Sequence, residues 1–383
     1  MIELARKLAG TLDRNPADII REALASAGIT INGDAPWDVQ IKDTRAYERM
    51  LRDGTLGVGE SYTDGWWDCE ALDQMIVRAT RGRVDAVLGK SWALRAQVVR
   101  AHLFNVQAMR AFEVGERHYD VGNDLYREML GPRMIYTCAY FKNTDSLDAA
   151  QEAKLDLVCR KLGLQPGMRI LDLGCGWGGF AAFAAERYGV SVVGYTVSRQ
   201  QAAWAREHHA KLPVEIRVED YRKATGRYDA VVSIGLMEHV GPKNHRPYME
   251  LAARLLNPGG KVFIHTIGGA SPRTHIDPWF DKYIFPNAAI PTLGQLATAM
   301  EEILVPEDVQ NIGPHYDPTL MAWWANFDAA WPRLRAKYGD AFYRMWKYYL
   351  LVSAGYFRAR EHNLYQIVAT PVGSPQPPTV RSS

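Results

Sequence analysis

Residues that can gain or lose a proton stand where predicted strands end. Glu238 closes the fourth predicted strand, His265 closes the fifth, and Cys138 lies upstream in the apolar segment MIYTCAYF (134–141). The carboxyl ends of strands in an open α/β sheet face the ligand crevice, so a chargeable side chain such as Glu238 needs a functional reason to lie there. A carboxyl group and an imidazole at this edge could move protons or hold a small ion.

Other interpretations of these residues stay open. Taken singly, Cys138 is typical of a small buried apolar residue, and His265 is typical of a core histidine with satisfied hydrogen bonds. A metal site is a second functional interpretation, built from Cys138, Glu238, His239 and His265. No pair in this set has the i, i+3 or i, i+4 spacing that chelates a metal from one helix, so we expect no metal.

A glycine-rich loop between a strand and a helix is the sharpest local pattern. The predicted strand 169–173 runs into Gly174 and Gly176 and then into a predicted helix at 180–188. Glycines let the backbone turn tightly and let a ligand approach closely, and Asp172 within the strand makes the pattern more specific. The alternative is a tight turn without a ligand. We predict a ligand-binding loop at the carboxyl end of the first strand.

The same region argues against a nicotinamide dinucleotide as the ligand. Such a site expects an acidic residue at the end of the second strand, but that strand ends in Tyr195-Thr196. The loop reads GCGWGG and lacks the GxGxxG spacing. The sequence LDLGCGWGG instead resembles the nucleoside-binding loop of class I S-adenosylmethionine-dependent methyltransferases. In that family the acidic residue after the third strand often meets the adenine, and Asp220 occupies that place.

The elements that must position these residues alternate between strands and helices. Apolar strand-like runs at 168–173, 190–195, 214–218, 228–234 and 261–267 predict an α/β fold with a parallel sheet covered on both faces. Four segments are predicted along the chain: a mainly helical amino-terminal domain (1–95), a helical connector (96–112), a catalytic domain (113–370) and a disordered tail (371–383). In the first of them, helical periodicity stops near Gly28, and alternation at 37–41 predicts a strand.

Composition excludes several classes of protein. The 383 residues suit two domains, and 45 Lys+Arg against 43 Asp+Glu give no electrostatic case for a nucleic-acid partner. The four cysteines are far apart, which favours a reducing compartment over a disulfide framework. The amino terminus lacks the apolar run of a signal peptide, and no apolar stretch approaches the ~20 residues that span a bilayer. We expect a cytoplasmic protein.

Seven further segments, in order, resemble one family. They are GESYTDGWWDC (59–69), ERHYDVGNDLY (116–126), MIYTCAYF (134–141), GLMEHVGPKN (235–244), HTIG (265–268), DPWFDKYIFPN (277–287) and YDPTLMAWW (316–324). The set looks like the bacterial cyclopropane-fatty-acyl-phospholipid synthases, with a resemblance running from about residue 15 to 370. Mycolic acid cyclopropane synthases share the catalytic half but lack the amino-terminal module, so residues 1–95 favour the phospholipid-acting branch.

The resemblance implies a Rossmann-like class I methyltransferase fold and a specific reaction. S-adenosylmethionine would supply a methylene group to a cis double bond of a phospholipid acyl chain, and bound bicarbonate would accept the proton. The family's bicarbonate site maps onto Cys138, Glu238, His265, the backbone of Ile267 and Tyr316. The cofactor residues map onto Tyr136, Thr137, Asp172, Gly174, Gly176, Thr196, Gln201, Asp220 and Ile234. A homodimer through residues 1–95 is also implied.

Aromatic and basic residues are concentrated near the carboxyl terminus. Residues 279–357 hold 17 of the 41 aromatic residues, and residues 331–360 hold seven basic residues against one acidic residue. The aromatics could form a core or line an acyl channel and stabilise a cation, with Tyr316 as the best candidate for contact with the reaction centre. The basic residues suit either a solvated helix face or an anionic membrane surface. We expect peripheral, salt-sensitive binding to the inner face of the cell membrane.

Two rival functions fit the same residues. A lipid C-methyltransferase would methylate the alkene without closing a ring and give a branched product. A catalytically silent lipid-binding protein could keep the fold, although the complete glycine loop argues against this.

Overall fold

The structure, a computed structural model, describes residues 15–84 and 122–377. The predicted connector at 96–112, the predicted boundary at residue 95 and the last residues of the predicted tail (378–383) lie outside the described residues. The division into domains therefore stays a prediction. A strand continues through Pro371, so regular structure extends one residue into the predicted tail.

Residues 15–84 form a small, mainly helical unit. Its elements are helices α1 (Pro16–Ala25), α2 (Arg45–Asp53), α3 (Thr55–Thr63) and α4 (Leu72–Arg81) and strands β1 (Gln40–Ile41) and β2 (Trp67–Asp68). Helix α1 begins where the sequence carries two start signals, because the Asn15 side chain accepts a hydrogen bond from Ala17 N at 3.0 Å and Pro16 takes the first helical position. The predicted strand at 37–41 narrows to β1, which pairs with β2.

A seven-stranded sheet forms the centre of the rest of the chain. Its strands are β3 (Arg169–Leu173), β4 (Ser191–Thr196), β5 (Val214–Val218), β6 (Tyr228–Ile234), β7 (Leu256–Gly269), β8 (Leu304–Asn311) and β9 (His362–Pro371). They lie in the order β5-β4-β3-β6-β7-β9-β8. Strands β3 to β7 are parallel to one another, which confirms the five predicted strands and the α/β fold class.

One edge of the sheet differs from the prediction of a parallel sheet. Strand β9 is antiparallel to both β7 and β8, so the sheet is mixed. The apolar runs did not predict these strands for a physical reason. Strand β8 lies at the edge, reads LVPEDVQN and buries only Leu304 and Asp308, while Gln366 interrupts the apolar run of β9.

Helices cover both faces of the sheet. Those of residues 122–377 are α5 (Asn123–Leu130), α6 (Leu147–Leu162), α7 (Gly179–Tyr188), α8 (Arg199–His208), α9 (Met237–Val240), α10 (His245–Arg254), α11 (Pro278–Tyr283), α12 (Leu293–Met300), α13 (Tyr316–Tyr338) and α14 (Asp340–Arg358). Strand residues alternate between two cores, as the pleat requires. Ile170 packs with α6 and α7, whereas Leu171 packs with α10 and α12.

The amino-terminal unit shares a third core with the last two long helices. Buried aromatic side chains from both parts meet there, including Trp67, Trp279, Trp323 and Trp346. Arg358 of α14 ties the parts together, because it forms ion pairs with Asp73 of α4 at 2.5 Å and with Asp317 of α13 at 2.8 Å. Much of the aromatic surplus therefore fills this core.

Most basic residues of 331–360 are ion-paired, four of them with carboxylates from other parts of the fold. Five of the seven form ion pairs: Arg333 with Glu128, Arg335 with Asp340, Lys337 with Asp124, Arg344 with Asp68, and Arg358 with Asp73 and Asp317. These ion pairs offset most of the positive charge that the sequence concentrates in residues 331–360. The electrostatic argument for membrane binding is therefore weaker. Within the described residues, no helix has both the length and the apolar character needed to cross a bilayer.

Candidate active site

The predicted site residues meet on the sheet face that α6 covers. Alternation along β3 puts Asp172 on the same face as Ile170, and alternation along β7 puts His265 on the same face as Phe263. Both apolar neighbours belong to the core under α6 and α7. Asp172 and His265 therefore lie on one face, near the carboxyl ends of parallel strands, where open α/β sheets bind ligands.

The glycine loop is held in place by the end of the neighbouring strand. Tyr195 O accepts hydrogen bonds from Gly174 N at 3.0 Å and Cys175 N at 2.8 Å. Gly174 and Gly176 have φ of 83° and 55°, which glycine adopts without the steric cost of a Cβ atom. A Cβ atom built on Gly176 would meet nothing within 4 Å, so the loop faces open space where a ligand could approach.

The other predicted cofactor residues line the same edge of the sheet. Thr196 Oγ1 donates to Gln201 Oε1 at 3.0 Å, which joins the end of β4 to the start of α8. Asp220 comes two residues after Val218, the register partner of Thr196, and its carboxylate accepts from the guanidinium of Arg222 at 2.5 Å. This pairing lowers the pKa of Asp220 against the opposing effect of burial, so the carboxylate is ionised.

A predicted cofactor residue and a predicted catalytic residue lie opposite each other on two neighbouring strands. Ile234, at the end of β6, pairs with His265 of β7. Gly235 N then donates to His265 O at 2.8 Å, and the chain turns through Gly235 at φ 75° into α9. This turn brings Glu238 back over the end of β7.

Glu238 is buried and binds the backbone of the predicted bicarbonate site. Its Oε1 accepts from Ile267 N at 2.7 Å, so the Ile267 N–H that the resemblance assigns to the anion is bonded to Glu238 here. Glu238 Oε2 has no hydrogen-bond partner. Burial raises the pKa of Glu238 to about 7, because an ionised carboxylate is poorly solvated there. Glu238 can therefore be protonated near neutral pH.

His265 is a neutral imidazole with one nitrogen available. Its Nδ1 lies 3.4 Å from Gln366 Nε2, and its Nε2 is buried without a partner. Burial, together with the positive charges of Lys154 and Lys161, holds the pKa of His265 well below its usual range. A neutral imidazole can donate or accept at Nε2, depending on its tautomer.

Thr319 links Cys138 to the helix that begins with Tyr316. Thr319 Oγ1 accepts from Ala139 N at 3.0 Å, donates to His315 O at 2.7 Å and lies 4.0 Å from Cys138 Sγ. Burial raises the pKa of the Cys138 thiol, which stays protonated. The Tyr316 ring stacks on Phe357 with centroids 4.3 Å apart. Sequence reasoning missed Thr319, which lies in a matched segment but carries no charge.

Lys154 is the main residue that sequence reasoning missed. It is 1% exposed, and its Nζ donates to Thr137 Oγ1 at 2.9 Å. Burial lowers the pKa of Lys154 to about 8, against the raising effects of Cys138 and Asp172. A signal for it was present in the sequence, because Lys154 falls on the buried stripe of α6 with Gln151 and Val158.

Tyr136 is held by the aromatic core. Its hydroxyl donates to Tyr349 OH at 2.8 Å, and its ring lies 5.3 Å from that of Trp323 and 6.5 Å from that of Phe285. Tyr136 and Thr137 thus have different anchors, one in the aromatic core and one on α6. Together these anchors fix the segment that leads to Cys138.

The donor set fits a small polar ligand and a cofactor better than a metal. Buried polar atoms without partners include Glu238 Oε2, His265 Nε2 and Asp172 Oδ1. In native proteins such orphans call for a ligand or ordered water. In residues 15–84 and 122–377, no cluster of three or more His, Cys, Asp or Glu side chains could hold a metal ion. The alternative metal site therefore has no support in this part of the chain.

The chain is similar to known proteins over most of its length. The model of the family described as mycolic acid cyclopropane synthetase matches residues 106–367. The cyclopropane-fatty-acyl-phospholipid synthase of Escherichia coli K12 is 46% identical over 357 residues, which cover 93% of this chain and 94% of that protein. The cyclopropane synthase MmaA2 from Mycobacterium tuberculosis is 30% identical, with a TM-score of 0.64, over 67% of this chain and 97% of that one. A mycolic acid cyclopropane synthase, CmaA1, complexed with SAH and CTAB, is 32% identical, with a TM-score of 0.64 and the same coverage of 67% and 97%.

Proposed function

The chain belongs to the family of cyclopropane-fatty-acyl-phospholipid synthases and mycolic acid cyclopropane synthetases, and from that premise we propose that it forms cyclopropane rings on the unsaturated acyl chains of membrane phospholipids. It is an S-adenosylmethionine-dependent methyltransferase of this family. The similarity to the Escherichia coli synthase covers 93% of the chain and so includes most of the amino-terminal unit, which supports the phospholipid as substrate.

One structural observation carries the proposal. Glu238 and His265 each present a buried, unpartnered polar atom at the sheet edge that also holds the glycine loop. Burial favours the neutral form of both groups, so the imidazole of His265 can accept a proton and a protonated Glu238 can donate one. Ring closure needs such a group, because a proton must leave the carbon that has been transferred.

The reaction also demands alignment and a water-poor surrounding. S-adenosylmethionine, when bound, supplies the carbon that is transferred. An isolated alkene is a weak nucleophile, so the protein must hold it against that carbon, and proximity carries much of the barrier reduction. Aromatic faces can stabilise the positive charge that develops on the acyl chain. Tyr136 and Tyr316 suit this role, since each lies within 6.2 Å of the buried Trp323 ring, measured between centroids.

We assign a bicarbonate ion to the same site. When bound, this ion would accept the proton. A protonated Glu238 can donate to an oxyanion, which removes the repulsion expected between two negative groups. Further neutral donors are His265 Nε2, the Cys138 thiol and the Tyr316 hydroxyl. The positive charge of Lys154 also acts on His265 and Cys138. In this proposal, Ile267 N–H is shared between Glu238 and the anion.

The substrate implies where the enzyme works. We propose a cytoplasmic homodimer, formed through residues 1–95, that associates peripherally with the inner face of the membrane. Because most basic residues of 331–360 are already ion-paired, we expect this association to depend on salt less than their number suggests.

Vesicles of unsaturated phospholipid test the proposal. Purified protein is incubated with labelled S-adenosylmethionine and the vesicles, and the fatty acids are then released and analysed by mass spectrometry. The proposal predicts gain of one methylene with loss of the double bond, and no label in matched saturated vesicles. A methyl-branched olefin would favour the C-methyltransferase, and no incorporation would favour the silent lipid-binding protein.

A further inference from the structure

Lys154 is a buried cation whose hydrogen-bond partner is a neutral hydroxyl. It is 1% exposed, and its Nζ donates to Thr137 Oγ1 at 2.9 Å. Among the described residues no carboxylate forms an ion pair with it. The same helix offers a contrast, because Lys161 is equally buried but is paired directly with Asp308 at 2.9 Å. Burying an unpaired ammonium group is costly, so a purely structural lysine would be expected to resemble Lys161.

The groups that face Lys154 come from three other elements. They are Cys138 in the segment before α6, Asp172 on β3 and His265 on β7, each of which interacts electrostatically with Lys154. Cys138 stays a thiol and His265 stays neutral at ordinary pH. Asp172 is therefore the facing group whose charge can change near neutral pH.

Asp172 is a buried carboxyl group, and one of its oxygens has no hydrogen-bond partner. It is 2% exposed, and its Oδ1 has no hydrogen-bond partner. Burial raises the pKa of Asp172 to about 7, and the positive charge of Lys154 acts in the opposite direction. Without that charge, Asp172 would be neutral over most of the physiological range. Asp172 stands two residues before Gly174, so its ionisation is felt at the loop that faces the cofactor cleft.

We propose that Lys154 is a positioning residue that favours the ionised form of Asp172 and fixes the Thr137 hydroxyl, and that the affinity for the cofactor depends on the charge of Lys154. The inference rests on the proposed use of S-adenosylmethionine, which carries cationic sulfonium and ammonium groups. An ionised Asp172 attracts those groups. Thr137 Oγ1 accepts from the charged amine, so its own hydrogen is left to donate to another acceptor.

Binding measurements test this inference without any lipid or turnover. The dissociation constants of S-adenosylmethionine and S-adenosylhomocysteine are measured by calorimetry between pH 6 and pH 9 for the full chain and for Lys154→Met, Lys154→Arg and Asp172→Asn. In the wild type, affinity should fall as pH drops through the pKa of Asp172. In Lys154→Met this fall should move up by at least about one pH unit, with binding at least roughly fivefold weaker at pH 7 and recovery at higher pH.

The other two variants separate charge from packing. Lys154→Arg keeps the charge over the whole range and should lose affinity at acid pH as the wild type does, whereas Lys154 itself, with a pKa lowered by burial to about 8, loses its charge toward pH 9. Asp172→Asn should bind weakly at every pH, and its affinity should not fall further as the pH drops. If Lys154→Met fails to fold, as judged by circular dichroism, the pH dependence of cofactor affinity in Asp172→Asn still tests the inference. The inference is overturned if the affinity of Asp172→Asn falls at acid pH as that of the wild type does.

Failure of the inference differs from failure of the proposed function. A Lys154→Met protein that binds with an unshifted pH profile, whether uniformly weaker or equal to wild type, would show that Lys154 only packs. A wild type that binds neither ligand would overturn both proposals. A wild type that binds both ligands but makes no cyclopropane would refute the proposed reaction and leave the Lys154 result standing.

Discussion

Replacing Glu238 with glutamine should stabilise the fold at alkaline pH while removing activity. Glu238 is 8% exposed, and burial raises its pKa from 4.5 to about 7. In the unfolded chain the same carboxyl group loses its proton near the ordinary value. Between these two pKa values the folded state binds more protons than the unfolded state, so this group lowers stability progressively as pH rises from about 4.5 to about 7.

The size of the effect follows from that difference in pKa. It corresponds to roughly 3 kcal/mol of stability lost once the pH exceeds both values. Glutamine carries no charge at any pH and keeps an oxygen that can accept from Ile267 N, now 2.7 Å from Glu238 Oε1. Glu238→Gln should therefore match the wild type near pH 4.5 and exceed its unfolding free energy by up to about 3 kcal/mol at pH 8. Turnover should fall on the order of 10²–10⁴-fold, as expected for loss of a proton-transfer group.

Urea unfolding at a series of pH values measures this prediction directly. The contributions of all other titrating groups cancel in the difference in unfolding free energy between Glu238→Gln and wild type. The change of this difference with pH therefore reports on Glu238 alone. A matched control is Glu207→Gln, an exposed carboxylate on α8, whose difference should stay near zero. If the Glu238→Gln difference were constant from pH 5 to pH 8, Glu238 would not have a raised pKa and the argument for its neutral form would fail.

The remaining predictions concern the ion pairs and the anchor of Cys138. Asp308→Asn should cost about 3–5 kcal/mol in urea unfolding, because the buried Lys161 would lose the carboxylate that balances its charge. The double variant Asp308→Leu/Lys161→Met should recover most of that loss, and an equally unstable double variant would refute this account. Thr319→Val should lower turnover more than stability, since it loosens the backbone next to Cys138, and an unchanged kcat would contradict it. Arg335→Ala should leave cosedimentation with anionic vesicles unchanged, because Arg335 is already paired with Asp340 at 2.8 Å, whereas a clear loss would show that this stretch is a basic membrane surface.

The sequence predicted the parts of the site that local patterns encode. Strand β3, the glycine loop and α7 follow from an apolar run, closely spaced glycines and a helical period, and the structure agrees to within one residue. Glu238 and His265 were predicted near the crevice as residues that end strands, but the structure puts Glu238 on α9, after β6 has ended, and His265 within β7, four residues before its end. The structure brings their elements together through the turn at Gly235 and the bond from Glu238 to Ile267 N.

What the sequence did not reveal depends on contacts between distant segments. Four of the seven basic residues of 331–360 have carboxylate partners outside that stretch, and for Arg358 one of these lies 285 positions away at Asp73. The antiparallel edge formed by β8 and β9 lacks a continuous apolar run. Lys154 falls on a buried helix stripe, but only the folded sheet shows which groups it faces.

The fate of the transferred hydrogens tests the central claim most directly. The protein is given S-adenosylmethionine with a trideuterated methyl group and unsaturated phospholipid vesicles, and deuterium in the product acyl chains is counted by mass spectrometry. Ring closure with proton removal from the new carbon, as the site around Glu238 and His265 predicts, leaves two deuterium atoms in a saturated ring. Retention of all three deuterium atoms in a methyl-branched chain would contradict the account.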